Sequence, residues 1–339
     1  MARLKRSAPE RAGILRKARG RGFTYVDVDG STVKDPATRA RIKDLVIPPA
    51  WRDVWICPYP NGHIQVIGVD AAGRRQYLYH ADWRTRQDAI KHDHVVDVAE
   101  RLPIARERIG KDLASRGLNR RRVLATAARM LDLGFFRIGG ERYAEENSSY
   151  GLATIRREHV TVERGGVVTF DYPAKSGRQR VQALAEPGVV AVIKALLKRP
   201  GGGDELLAYR QGREWRDVRG VDINDYLCEV VGTEVSAKDF RTWHGTVLAA
   251  IALAVAEPAG MSPTARKRLV THAVKEVSTY LGNTPAVCRK SYIDPRVLER
   301  FEAGETIERA VPLLGAGTEE GQLASMGGAE RAVLRLLTQ

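Results

Sequence analysis

Cysteine is scarce in this sequence. Only Cys57, Cys228 and Cys288 occur in 339 residues, too few and too far apart for a disulfide framework or a zinc ribbon, and they suit a reducing compartment. Long apolar runs are lacking too. The longest, residues 247–256, falls well short of the roughly 20 residues that span a bilayer, and the basic start has no hydrophobic stretch behind it. Neither a signal peptide nor a membrane segment is expected. No Gly-rich phosphate loop of the Walker type occurs, so ATP use is not indicated. His92 and His94 flank Asp93 but lack a third ligand at convincing spacing, so no metal is expected and the pair reads as solvated linker. Acid is in deficit: 41 Asp and Glu against 55 Lys and Arg give a net charge of +14. Such an excess favours polyanions, nucleic acid first among them, because each phosphate neutralised releases condensed counterions. On charge alone, a basic surface kept for solubility remains the alternative.

What is present is ordinary globular material, 43% hydrophobic and 28% charged, and the length suits two domains. The first twenty residues carry Lys5, Arg6, Arg11, Arg16, Lys17 and Arg19 and read as a flexible basic arm or a marginal helix. Short strands follow at 23–28, 54–57, 63–69 and 75–79, with a helix near 37–45, making a small antiparallel sheet. The charge-dense stretch 83–94 reads as a linker, which puts the domains at 1–90 and 91–339. Beyond it the period turns helical at 95–102 and 121–133. Three strands, 158–163, 167–172 and 178–184, surround two turns. Helices resume at 188–198, 223–231, 239–256, 265–281 and 295–303. The tail after Pro312 is Gly-rich and ends in a helix at 329–337. The fold class is α+β.

Four cationic or amide positions and one tyrosine stand out against this frame: Arg137 just past Gly134, Lys175 in a tight turn, Arg241 opening a helix, and Asn283 nine residues before Tyr292. Each alone reads as a surface charge or a half-buried aromatic. They belong, however, to short segments in a fixed order. Phe135-Phe136-Arg137-Ile138-Gly139 and Tyr150-Gly151-Leu152-Ala153-Thr154 come first, then Pro173-Ala174-Lys175-Ser176-Gly177. Lys238-Asp239-Phe240-Arg241-Thr242-Trp243, Asn283-Thr284-Pro285 and Ser291-Tyr292-Ile293-Asp294-Pro295 follow. Across residues 120–300 this series resembles the type IB DNA topoisomerases, in the small form of bacteria and poxviruses. Ile47-Pro48-Pro49-Ala50-Trp51 and the run from Gly73 to Tyr79 resemble that family's DNA-clamping domain.

The resemblance implies a small N-terminal antiparallel β-sheet domain and a larger, mainly α-helical catalytic domain of the topoisomerase IB and tyrosine recombinase type. It implies that Tyr292 attacks a phosphate of duplex DNA and holds the 3′ side while a 5′ hydroxyl leaves. Arg137 and Arg241 would grip the nonbridging oxygens, where a guanidinium fork suits two-point contact. Lys175 would be the general acid and Asn283 a hydrogen-bond donor where most members carry histidine; an amide donates but carries no charge. Lys238, one helical turn before Arg241 and on the same side, is expected to touch DNA. Gln76, Tyr77 and Tyr79 match duplex-contacting positions, and alternation puts the two tyrosines on one face. No cofactor is needed, because a phosphotyrosyl ester stores the energy of the cut bond. A monomer in the cytoplasm, on nucleoid DNA, completes the expectation.

Two other readings compete. A tyrosine recombinase shares the Arg, Lys, Arg and Tyr chemistry, but its usual second motif has His before the second Arg, where Lys238 stands here. A noncatalytic DNA-binding protein fits the charge and has no need of Tyr292.

Overall fold

The computed structural model describes residues 3–256, 261–315, 318 and 322–339. The chain divides into two compact units, Met1–Asp93 and His94–Gln339.

In the first unit, β1 (Ile14–Arg19), β2 (Gly22–Val26), β3 (Arg52–Ile56), β4 (Ile64–Val69) and β5 (Arg75–Tyr79) form one antiparallel sheet in the order β2-β1-β3-β4-β5. Helix α1 (Pro36–Asp44) starts at the Asp35 cap, whose carboxylate accepts from Thr38 N. It contributes Ile42 to a core with Ile14, Val54, Ile56 and Val66. The basic start is therefore not a free arm: residues 14–19 are strand, because alternate Ile14 finds an apolar core to enter. Arg16 turns its guanidinium onto the carbonyls of Pro48 and Trp51, at 3.1 and 2.6 Å, and fixes the loop before β3.

Helix α2 (Ala81–Leu113) runs straight through the expected linker. The stretch 83–94 holds no Gly or Pro, and its Arg84, Arg86, Gln87, Ala89 and Lys91 are good helix formers, so charge density marked a helix surface and not a break. His92 is buried, which also removes it from the solvated-linker reading.

In the second unit α3 (Arg120–Gly134) is buried from Val123 onward and forms the centre. Around it lie α4 (Glu141–Asn147), the sheet of β6 (Val160–Val162), β7 (Val168–Ala174) and β8 (Arg178–Leu184), then α5 (Pro187–Lys198). The hairpin of β9 (Ala208–Gln211) and β10 (Glu214–Asp217) and the helix α4 had no clear pattern in the sequence. Helices α6 (Gly220–Val231), α7 (Ala237–Val255), α8 (Pro263–Leu281), α9 (Pro285–Ser291), α10 (Pro295–Glu302) and α11 (Gly328–Thr338) complete it. Part of the Gly-rich tail, residues 316–317 and 319–321, lies outside the described residues. Among the described residues no helix is long and apolar enough to cross a membrane.

Candidate active site

The end of α3 sets the first functional residue. Phe135 caps the helix in the left-handed region at φ 55, an unusual state for a bulky residue, and the chain reverses there. Phe136 is then driven into the core, edge-on to Phe170 at 5.1 Å, which leaves Arg137 on the opposite side. The backbone after Arg137 is clamped by the segment that begins at Tyr150. Leu152 N donates to Arg137 O at 2.7 Å and Ala153 N to Ile138 O at 2.8 Å. Gly139 and Gly151 touch at this point; a Cβ on Gly151 would lie 2.5 Å from the Gly139 Cα. Tyr150 N donates to Pro173 O, so the clamp extends to the strand that ends before Lys175.

Arg241 comes from α7, which starts at Ser236; Asp239 accepts from both Ser236 N and Ser236 Oγ at 2.8 Å. Arg241 is only 3% exposed. Its Nη1 donates to Phe135 O and its Nη2 to Leu281 O. Arg137 Nη2 donates to Gly282 O at 2.7 Å and to Asn283 Oδ1 at 2.5 Å. A third guanidinium, Arg180 on β8, donates to Thr279 O and Tyr280 O. Of these five backbone carbonyls, four belong to the C-terminal end of α8 or its Gly282 cap, and the fifth, Phe135 O, is at the C-cap of α3. The last carbonyls of a helix are unsatisfied and carry its negative pole. Three positive charges are thus held together by a helix end, and no described carboxylate is bonded to any of them. Arg137, Arg180 and Arg241 line one small cavity with Tyr150, Tyr172 and Leu281.

Tyr292 sits at the C-cap of α9, its N–H donating to Cys288 O at 2.9 Å. The next residues pin it: Ile293 is fully buried, and Asp294 N donates to Thr246 Oγ1 on α7 at 3.0 Å. The half-buried Tyr292 ring lies under Arg241, 5.1 Å from guanidinium carbon to ring centroid. Asn283 is held next to Arg137 by the α8 cap, its N donating to Ser278 O. Its Nδ2 and the Nε of Arg241 are buried without a hydrogen-bond partner. Burial first, and then the Arg137 charge, push the Arg241 pKa down to about 10; it stays a cation at neutral pH. Burial also pushes the Tyr172 phenol up to about 12, against the pull of the three arginines. Tyr172 therefore stays protonated, its O–H donating to Gln182 Oε1. Clustered cations with unused N–H groups are suited to the nonbridging oxygens of a phosphate.

The structure brings Arg137, Arg241, Asn283 and Tyr292 together. Lys175 is exposed on the turn between β7 and β8, the hairpin that supplies Tyr172 and Arg180. Lys238 is exposed on the first turn of α7 while Arg241 is buried, so the two do not share an environment. In the first unit Tyr77 and Tyr79 do share a face of β5, stacked at 6.1 Å between centroids. Gln76 points to the other side and donates to Asp70 at 2.9 Å. Arg180 is the residue that the sequence did not single out; its cross-strand pairing with Tyr172 is visible only once the hairpin register is known.

The site is a cluster of arginines beside a tyrosine on a helical scaffold, and a sheet unit precedes it in the sequence. Residues 80–310 match the family model of the eukaryotic DNA topoisomerase I catalytic core, and residues 22–70 match that of the bacterial DNA topoisomerase IB N-terminal domain. DNA topoisomerase 1B of Acanthamoeba polyphaga mimivirus is 32% identical over 298 residues, 86% of this chain and 88% of the viral protein. DNA topoisomerase 1B of Vaccinia virus (strain Copenhagen) is 24% identical over 238 residues, 69% of this chain and 71% of that protein. DNA topoisomerase 1 of Daucus carota is 26% identical over 184 residues, 53% of this chain and 22% of the plant protein. The chain belongs to the type IB DNA topoisomerases.

Proposed function

We propose that this topoisomerase relaxes supercoiled duplex DNA by cutting and resealing one strand through a covalent bond to Tyr292, without metal or nucleotide cofactor. The Tyr292 oxygen attacks phosphorus, the new O–P bond forms, and the bond from phosphorus to the 5′ oxygen breaks. The phenolic proton leaves to water, and Lys175 gives a proton to the departing 5′ oxygen. Arg137, Arg241 and Asn283 hold the nonbridging oxygens as charge builds on them. The 5′ end then turns while the 3′ end stays on the protein, and the reverse step reseals the strand. Lys238 contacts the DNA near the cut, Gln76, Tyr77 and Tyr79 contact the duplex from the sheet domain, and the units 1–90 and 91–339 act on it as a clamp. The reading has one chain at work in the cytoplasm, on nucleoid DNA.

One observation carries it: an arginine cluster with no carboxylate bonded to it among the described residues surrounds buried, unused donors of Arg241 and Asn283, beside the Tyr292 ring. The test is relaxation of supercoiled plasmid in EDTA without ATP, with parallel denaturation of labelled DNA. Wild type should relax plasmid and carry adduct at the 3′ side of the nick; Tyr292→Phe should do neither. Relaxation by Tyr292→Phe at the wild-type rate, or adduct on the 5′ side, overturns the assignment. Relaxation restricted to paired specific sites would favour a recombinase, and sedimentation should give the mass of one chain.

A further inference from the structure

A second cation-lined cavity, of about 600 Å³, opens in the helical unit between the later part of α2, the middle of α3 and the start of α11. It shares no lining residue with the cavity of the arginine cluster. Arg129 of α3 lines it and is only 6% exposed, yet its Nε and Nη1 are buried without a hydrogen-bond partner. Its Nη2 reaches the Arg106 carbonyl oxygen at 3.4 Å, a weak contact. The neighbouring carboxylates are already engaged. Arg106 binds Asp132 at 2.8 and 2.9 Å and Glu330 at 2.6 and 2.9 Å, and Trp243 Nε1 donates to Glu330 as well. Exposed Lys111 and Arg331 add two charges to the lining, which Glu107 offsets by one.

A desolvated guanidinium with unused N–H groups is unfavourable unless something accepts from it. An acceptor for three cations in a concave space is a multiply charged anion. We propose that this cavity binds a free phosphate group, either inorganic phosphate or the phosphate of a small molecule, at Arg129, Lys111 and Arg331. A hollow of this volume is sized for a small ligand, whereas the phosphates of a duplex lie along a convex rod.

Inorganic phosphate titrated against the full chain at constant ionic strength, with thermal unfolding as the readout, tests this. A saturable rise in Tm is expected in wild type and equally in Arg137→Ala, which empties only the other cluster. Half-saturation should weaken roughly tenfold in the double variant Lys111→Ala/Arg331→Ala, whose positions are exposed and leave the fold alone. Arg129→Met, of similar volume without the charge, should abolish the shift without lowering the phosphate-free Tm. Absence of a saturable rise overturns the proposal. So does a rise that vanishes in Arg137→Ala and survives in the double variant, which would put the ion at the catalytic cluster. If the double variant loses duplex affinity by the same factor, the occupant is DNA backbone and the free-phosphate assignment falls.

Discussion

Asn283 accepts from Arg137 at 2.5 Å through Oδ1, while its Nδ2 lies buried with no partner. One end of the amide fixes the arginine and the other is left to donate. Asn283→Ala removes both functions, and single-turnover cleavage should slow by about 10²-fold. Asn283→His restores a donor at the same place and should keep or raise the wild-type rate. Equal rates in all three proteins would remove the residue from the site.

Arg180 raises a different question, because it caps α8 as well as facing the cluster. If its charge acts on the phosphate, Arg180→Gln should slow cleavage about tenfold while the far-ultraviolet spectrum and Tm stay near wild type. A fall in Tm with an unchanged rate would make Arg180 a helix cap only.

The helical scaffold was legible from the residues because its helices carry strong periodicity; their caps, Asn119 before α3, Ser262 before α8 and Asp294 before α10, emerge with the structure. The start of α2 is hidden in the sequence for a physical reason. Residues 83–94 bear charge on exposed faces, and the apolar stripe that betrays a helix starts only at Val95. Strand β1 was missed because five of its six residues are basic, small or outward-facing, and only Ile14 reports the core. At the site, Arg137, Arg241, Asn283 and Tyr292 were found as members of ordered segments. What held them was not, since the counter-charge to the arginines is a helix end made of backbone carbonyls, which no side chain in the sequence announces.

Lys175 stands on an exposed turn, and its assignment as proton donor makes a chemical demand. Lys175→Ala should slow cleavage of ordinary DNA by about 10²- to 10⁴-fold. Replacing the leaving 5′ oxygen by sulfur, which departs without a proton, should restore most of that loss. If the sulfur substrate is cut as poorly as the natural one, Lys175 acts by binding and not by proton transfer.

Gly245 packs against the Tyr292 backbone. It lies one turn beyond Arg241 on α7, and a Cβ there would come 2.6 Å from the Tyr292 carbonyl oxygen and 3.1 Å from Leu281 Cδ1. The segment carrying Tyr292 would have to move. Gly245→Ala should therefore cut the cleavage rate by roughly 10²-fold, because small misplacements of a nucleophile are that expensive, with duplex affinity unchanged. Wild-type cleavage by this variant would show that the tyrosine does not depend on close packing with α7.

Beneath the arginines, α7 is tied to the core by His244, whose Nε2 lies 3.1 Å from Asp132 Oδ1; both residues are about 1% exposed. Burial by itself would raise the Asp132 carboxyl, but the Arg106 charge and the hydrogen bonds from His244 and Arg106 prevail and hold it far below the usual carboxylate range. Asp132→Asn leaves Arg106 and His244 short of their partner and should destabilise the protein by about 3–5 kcal/mol, a Tm loss of roughly 10 °C. A carboxylate depressed in the folded state stabilises fully above its unfolded pKa of about 3.9 and loses that stabilisation only as pH falls through the lower folded value. The gap in stability between wild type and Asp132→Asn should hence stay constant from about pH 5 to pH 8 and close only under strongly acid conditions. Denaturant titrations across that range check it, and a gap that shrinks near neutrality would mean that another group carries the charge of the cluster.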